Sequence, residues 1–510
     1  MATTTTSSTP GPIRLADHAG SGRLAVVEAA TGRERTFDEL DQRSARLAAH
    51  LEAAGLQEQG HLAVLLPNVI EYFDAAWAAQ RSGLWLTPVN WHLTGEEAAY
   101  IVGDCGAQVL VTTPTLATTL PAGDLLAHPG LVLMAGDRGS LERAIDDGPP
   151  ALSRAETEGA LMFYSSGTTG RPKGIVRPWQ SDPYGTVRLI ETLMAGAYAF
   201  SPETVYLCPA PLYHAAPIAW SLGAQRLGGT VVVMDRFDPL ETLRLIEAYR
   251  VTHVQMVPTM FVRLLKLPEE DRNRYDLSSL RYVIHAAAPC PVEVKAQMLD
   301  WWGPVIHEYY SSSEGAGFTM IGPEDWRAHP GSVGPAMGGQ IHILDEKGAE
   351  LPAGEIGTVW FEGAPRFEYH NDPAKTADAF NDRGWSSLGD MGSLDEEGYL
   401  YLSDRRTNLI LSGGVNIYPQ EIENALTLHP AVLDVAVIGV PDEEMGQQVK
   451  AVVQPVDPAA AGPELEAELI AFCRARLAGF KSPRTVDFVD DLPRLPSGKL
   501  AKRLLIDRYR

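Results

Sequence analysis

The chain has 510 residues, and 65 acidic against 42 basic side chains leave a net charge of −23. That length exceeds one ordinary hydrophobic core and implies several domains. The acidic excess excludes nucleic acid or an anionic membrane as the main partner, although a small polyanion needs only a local cluster of donors. Cys105, Cys208, Cys290 and Cys473 are isolated, with no pair at metal or redox spacing. The opening MATTTTSSTPGP has neither the basic residues nor the apolar run of a signal peptide, so residues 1–15 read as a disordered tail. No apolar run reaches membrane-span length; AVLLPNVI is interrupted by Pro67. A cytoplasmic protein is expected.

In chain order, HLAVLLP (61–67) predicts a buried strand and residues 68–83 a helix stopped by glycine. AQVLVTT (107–113) is again strand-like, and ALMFY (160–164) reads as one buried strand. LETLRLIEAYR, VTHVQMVP, TMFVRLLKL, RYVIHAAAP and PVEVKAQMLDWWG then alternate as helix, strand, helix, strand, helix. Such alternation predicts an α/β fold with parallel-rich sheets layered with helices. From about 333 to 404 the texture is β-rich, with turns at DEKG and PAGE. The last hundred residues read as a small α+β domain, bounded close to Arg405. The expected division is 16–404 as the large domain, 405–408 as a hinge and 409–510 as a mobile lid.

YSSGTTGRPKG (164–174) directly follows the ALMFY strand. Gly167, Gly170 and Gly174 allow backbone conformations closed to other residues, so successive amides can converge on an anion. Ser165, Ser166, Thr168 and Thr169 add donors, and Lys173 can reach a phosphate as a point charge. This is not a Walker loop: Arg171 and Pro172 separate Gly170 from the lysine, and no Ser or Thr follows it to hold magnesium. The metal ligand must come from elsewhere.

YSSGTTGRPKG resembles the phosphate loop of the adenylate-forming superfamily, and further motifs of that family occur in order. EYYSSSEG (308–315) resembles its aromatic-Gly-x-Thr-Glu motif. The resemblance implies that Tyr310 stacks on adenine, flanked by Tyr309, that Ser313 donates to phosphate and that Glu314 binds Mg²⁺. An aromatic face suits a base and a carboxylate suits a hard cation. Ser311 stands where the family has Gly, and Ser313 where it has Thr. HAAAPCP (285–291) resembles the adenine-pocket segment, with Ala287, Ala288 and Pro289 in place. SLGDMGSLDEEGYLYLSDRR (387–406) resembles the ribose block: Asp390 matches the carboxylate taking the ribose hydroxyls and Arg405 its arginine. Asp404 replaces the family's Gly, and Thr407 occupies the hinge position usually held by Asp or Lys. LSGGVNIYPQEIE (411–423) resembles the acceptor-tunnel loop, where Ser412, Gly413 and Gly414 let the backbone approach a pantetheine arm. Pro419 with Glu421 and Glu423 forms a sensible helix start. LPRLPSGKLAKRLL (492–505) places Lys499 at the catalytic lysine. PAPLYHAAPIAW (209–220) resembles the acyl-site segment, with Tyr213, His214 and Trp220 as walls and His214 as a possible catalytic group.

The resemblance implies an ATP- and Mg²⁺-dependent ligase that forms acyl-AMP and pyrophosphate, then passes the acyl group to CoA. The aromatic and small residues of the acyl segment suggest a medium apolar or aromatic acid. The alternative is CoA-independent transfer to an amine or amino acid, as in coronafacate–amino-acid ligases, whose segments IVRPW, WWGPVIHEYY and RRTNLILSGGVNIYP also resemble this sequence. A domain loading a carrier protein and a non-catalytic nucleotide binder are further readings. Joint retention of Lys173, Glu314, Asp390, Arg405 and Lys499 speaks against the last. Lys499→Ala is expected to nearly abolish acyl-AMP formation while sparing acyl transfer from supplied acyl-AMP, and equal loss in both half-reactions would contradict the role.

Overall fold

The computed structural model describes residues 11–509, except 122–129, 137, 166–170, 406–407 and 494–499, and leaves the side chain of Arg405 undescribed. The chain divides into two compact units. The first comprises residues up to 165 with 172–255 and 276–282; the second takes 166–171, 256–275 and 283–510. The boundary expected near Arg405 falls inside the second unit.

The first unit holds a five-stranded, all-parallel sheet in the order Leu131–Met134, Val109–Thr112, His61–Leu65, Trp85–Pro88, Ala160–Leu161. Its three central strands are short apolar runs buried on both faces, as parallel pairing requires, and its two edge strands are largely half-buried. In a second sheet, strand Leu24–Glu28 pairs parallel to Thr230–Val233 and antiparallel to Arg33–Thr36. Thr36 then ends that hairpin and starts helix Phe37–Ala53 with a reciprocal capping box to Glu39. The expected tail is shorter than 15 residues: Ile13 N–H donates to the Gly185 carbonyl at 2.8 Å, and Leu15 is buried in a 3₁₀ turn.

ALMFY is two strands rather than one. Ala160–Leu161 closes the parallel sheet, whereas Phe163–Ser165 turns into an antiparallel hairpin with Lys173–Val176. Ser165 faces Lys173 in that register, so the glycine-rich segment is the hairpin's connection. Gly174 lies inside the returning strand, opposite Tyr164, and takes no left-handed conformation. Pro172, unfit for a helix interior, precedes this strand.

In the second unit, Tyr282–His285 pairs parallel to Ile306–Ser311, which pairs antiparallel to Phe318–Ile321. The β-rich segment is a four-stranded antiparallel sheet, Gln340–Leu344, Gly357–Glu362, Asp390–Leu394, Leu400–Arg405. The terminal region forms Ile410–Ser412, Val415–Ile417, the long hairpin Val432–Asp442 with Gly446–Pro455, and Thr485–Phe488 parallel to its second strand. Helices Pro419–Thr427 and Pro463–Arg474 seal one face through Ile422, Leu426, Leu465 and Leu469. Helix Lys502–Arg508 covers the other through Leu505.

Buried acids in the first unit are paired. Arg226, on helix Ala215–Arg226, donates to Glu158 at 2.5 and 3.1 Å and lies 3.4 Å from Glu191. Its side chain and that of Glu158 are 4% and 1% exposed. Removing one partner strands a charge, whereas removing both removes the desolvation cost as well. Arg226→Leu is therefore expected to destabilise by about 3 kcal/mol. Arg226→Leu with Glu158→Leu should recover part of that loss, since Glu191 stays buried without the guanidinium, both measured as shifts of the urea midpoint.

Candidate active site

In the first unit the phosphate-loop hairpin is tied at both ends to one helix, Gly95–Asp104. Before the loop, the Tyr164 hydroxyl donates to Asp104 Oδ2 at 2.7 Å. After it, the Tyr100 hydroxyl donates to the Pro172 carbonyl at 3.2 Å. Tyr100 and Asp104 are four residues apart and therefore share a helix face. Among the described residues the buried Ser165 hydroxyl oxygen has no hydrogen-bond partner. An orphaned hydroxyl where a polyanion loop begins fits a ligand that supplies its partner. Ser166, Gly167, Thr168, Thr169 and Gly170 lie outside the described residues, as do Thr407 and Lys499.

The expected acyl wall in the same unit is an aromatic chain. Trp91 and His92 have ring centroids 3.5 Å apart, His92 meets Tyr213 edge-on at 6.3 Å, and Tyr213 lies 4.6 Å from His214. Burial holds the His92 imidazole below its usual range and pushes the Tyr213 phenol up to about 12, so both are neutral at pH 7. His214 is the N-cap residue of helix Ala215–Arg226. Trp220, one turn and a half further on, is buried against Tyr198 and Phe200. Trp91 and His92 carry no motif signal; only tertiary packing brings them to Tyr213.

In the second unit the nucleotide motifs converge. Tyr310 and Asp390, 80 residues apart, are joined by a hydrogen bond from the phenol to Oδ2 at 2.6 Å. Asp390 opens its strand directly opposite Arg405 on the next, so the ribose carboxylate and the family's arginine are cross-strand neighbours. Tyr309 points the other way and stacks on Phe318 with centroids 5.3 Å apart. The Ser311 hydroxyl donates to the Gly317 carbonyl at 2.8 Å, bracing the turn that carries Ser313 and Glu314. Ser313 is exposed. The adenine segment is strained: Ala287 has φ +76°, a left-handed conformation that costs an alanine roughly 1 kcal/mol. Ala287 and Ala288 are exposed and Pro289 half-buried, leaving a low, bare backbone surface.

Glu314 is 8% exposed and accepts from the Tyr369 hydroxyl at 2.9 Å through one carboxylate oxygen. Among the described residues no group of three or more His, Cys, Asp or Glu could cage a metal. A single oriented carboxylate fits Mg²⁺ that arrives with nucleotide, since such ions keep waters and phosphate oxygens as their other ligands. Bound there, the ion supplies charge neutralisation at the phosphates. No motif marks Tyr369.

Asp404, unusual for the family, accepts from the Gln420 amide at 3.0 Å and from the Asn408 side chain at 2.8 Å. It thereby supplies a side-chain acceptor at the start of helix Pro419–Thr427. Beyond it, Gly413 adopts φ +57°, and a Cβ there would lie 2.4 Å from Met445 Cε. Ser412 and Gly413 line a cleft of about 90 Å³ together with Met445, Phe480, Ser482 and Arg484.

Tyr369→Phe removes the hydroxyl that orients Glu314 while leaving the ring in place. The Mg²⁺ concentration giving half-maximal acyl-AMP formation is expected to rise about tenfold, read from pyrophosphate release against a Mg²⁺ titration.

The AMP-binding enzyme family matches residues 15–367, and the AMP-binding enzyme C-terminal domain matches 421–499. A feruloyl-CoA synthase of an Amycolatopsis species is 36% identical over 479 residues, covering 92% of this chain and 93% of that protein. ATP-bound MatB from Rhodopseudomonas palustris superposes with a TM-score of 0.83 at 31% identity, covering 97% and 98% of the two chains. The amide bond synthetase McbA from Marinactinospora thermotolerans superposes with a TM-score of 0.78 at 28% identity, with the same coverage. Motifs, fold and relatives agree: the chain belongs to the AMP-binding enzyme family and is an AMP-forming acid ligase.

Proposed function

We propose that this ligase activates a medium apolar or aromatic carboxylic acid and delivers it to CoA. A substrate carboxylate oxygen attacks the α-phosphorus of ATP and pyrophosphate leaves. Lys173 and the loop hold the β and γ phosphates, and Lys499 bridges the carboxylate and the α-phosphate. The acceptor thiolate then attacks the acyl carbonyl and AMP leaves. Residues 409–510 act as a lid hinged at 405–408, which withdraws Lys499 and presents the 412–414 loop between the two steps. Most of this chemistry is position and charge neutralisation.

The observation carrying CoA as acceptor is the cleft beside that loop. Gly413 keeps its wall thin, Phe480 offers a 57% exposed aromatic face, and Arg484 adds an exposed cation. Among the described residues the buried Ser482 hydroxyl on its wall has no hydrogen-bond partner. Aromatic surface beside a cation suits an adenine bearing phosphates. The Trp91–His92–Tyr213–His214 chain, with His92 and Tyr213 neutral, supports a flat, weakly polar acyl group, in keeping with the feruloyl-CoA synthase at 36% identity. Likeness to an amide bond synthetase favours a second reading, transfer to an amine.

Protein incubated with ATP, Mg²⁺ and a panel of aromatic and medium-chain acids is then offered CoA or an amine, and products are identified by mass. AMP release with acyl-CoA is the expected outcome; amide formed without CoA overturns the CoA reading. Phe480→Ala is expected to raise the KM for CoA about tenfold without changing that for ATP.

A further inference from the structure

A buried charged cluster lies next to the nucleotide motifs. Lys295, on helix Val292–Trp302, is fully buried, and its ammonium donates to Glu308 Oε2 at 2.6 Å. Glu308 is 5% exposed and His285 fully buried, with its Nε2 3.4 Å from the same carboxylate. The ammonium also sits over the Trp326 ring, 4.8 Å from its centroid, and Phe261 meets His285 edge-on at 5.2 Å. Among the described residues neither nitrogen of His285 has a hydrogen-bond partner. The ring is held neutral, its pKa well below the usual range, first by burial and then by the charges of Lys295 and His307.

This pair costs several kcal/mol of desolvation, and apolar residues of similar volume could fill the space more cheaply. Its location explains what it does. Glu308 and His285 are register partners on neighbouring parallel strands. Two residues after Glu308, on the same face of its strand, comes Tyr310, bonded to Asp390. Two residues after His285 comes Ala287, in its left-handed turn. Lys295 thus fastens, from a third element, the strand that carries Tyr310, and His285 lies against the same carboxylate from the paired strand that runs into the adenine segment.

We propose that Lys295, Glu308 and His285 are positioning residues for the adenine end of ATP, an inference that rests on the adenylation reading. The cluster fixes the spacing between the Tyr310 ring and the 286–289 backbone, and maintains the strained Ala287 turn by holding its strand.

The test compares Lys295→Met, Lys295→Met with Glu308→Leu, and wild type by thermal midpoint and by separate KM values for ATP and acid. Wild-type ATP-dependent AMP release establishes the adenylation reading independently of the variants. The single variant strands Glu308 and lowers the midpoint. The double variant is expected to regain the midpoint while its KM for ATP stays about tenfold raised, with the KM for acid within about twofold. A role in folding alone restores the midpoint and the KM for ATP together, which overturns the proposal, as does a parallel rise of both KM values. If the double variant does not fold, His285→Leu, which strands no hydrogen bond, carries the test. A rise of about threefold in the KM for ATP alone supports the proposal, and no rise overturns it.

Discussion

The parallel pairing of Tyr282–His285 with Ile306–Ser311 is the constraint on which the second unit's site depends. Its register sets His285 against Glu308, and Tyr310, Glu314 and the alanine segment follow within a few residues of those two. One strand runs on through Tyr310 to the turn bearing Glu314; the other breaks into the bare alanine segment. A one-residue slip would turn Tyr310 away from Asp390 and point Glu308 off Lys295, because side chains alternate faces along a strand. The apolar residues Val283, Ile284 and Ile306 hold that register by burial.

Charge management follows from the same economy. A protein of net charge −23 that binds a polyanion must keep its own carboxylates from opposing the ligand. Those beside the motifs, two in the second unit and one in the first, are engaged. Asp390 accepts from Tyr310, Glu314 from Tyr369, and Asp104 from Tyr164. Each donor is a phenol, which fixes a carboxylate's direction without cancelling its charge. The phenols thereby fix the directions of the Asp390 and Glu314 carboxylates. Guanidinium or ammonium partners appear instead at the buried acids Glu158 and Glu308.

Most of the element order was legible in the sequence, because buried parallel strands are short apolar runs and amphipathic helices separate them. ALMFY was misread because burial in a sheet and burial under a hairpin produce the same apolar run; what separates them is the partner strand. The tail was read too long because Ile13 and Leu15 find their partners in residues far along the chain.

By itself the sequence determined the chemistry: which side chains could hold phosphate, adenine, ribose and magnesium, and in what order they occur. Those motifs are local, and their residue types suit the groups they are proposed to hold. The tertiary structure alone decided how they are held. Tyr369 behind Glu314, Tyr100 and Asp104 flanking the phosphate loop, and Lys295 bound to Glu308 join residues 13 to 72 positions apart or lie outside every motif. Hydrogen bonds and ion pairs across such separations depend on which strands and helices become neighbours. That is a property of packing, and no spacing of residues along the chain records it.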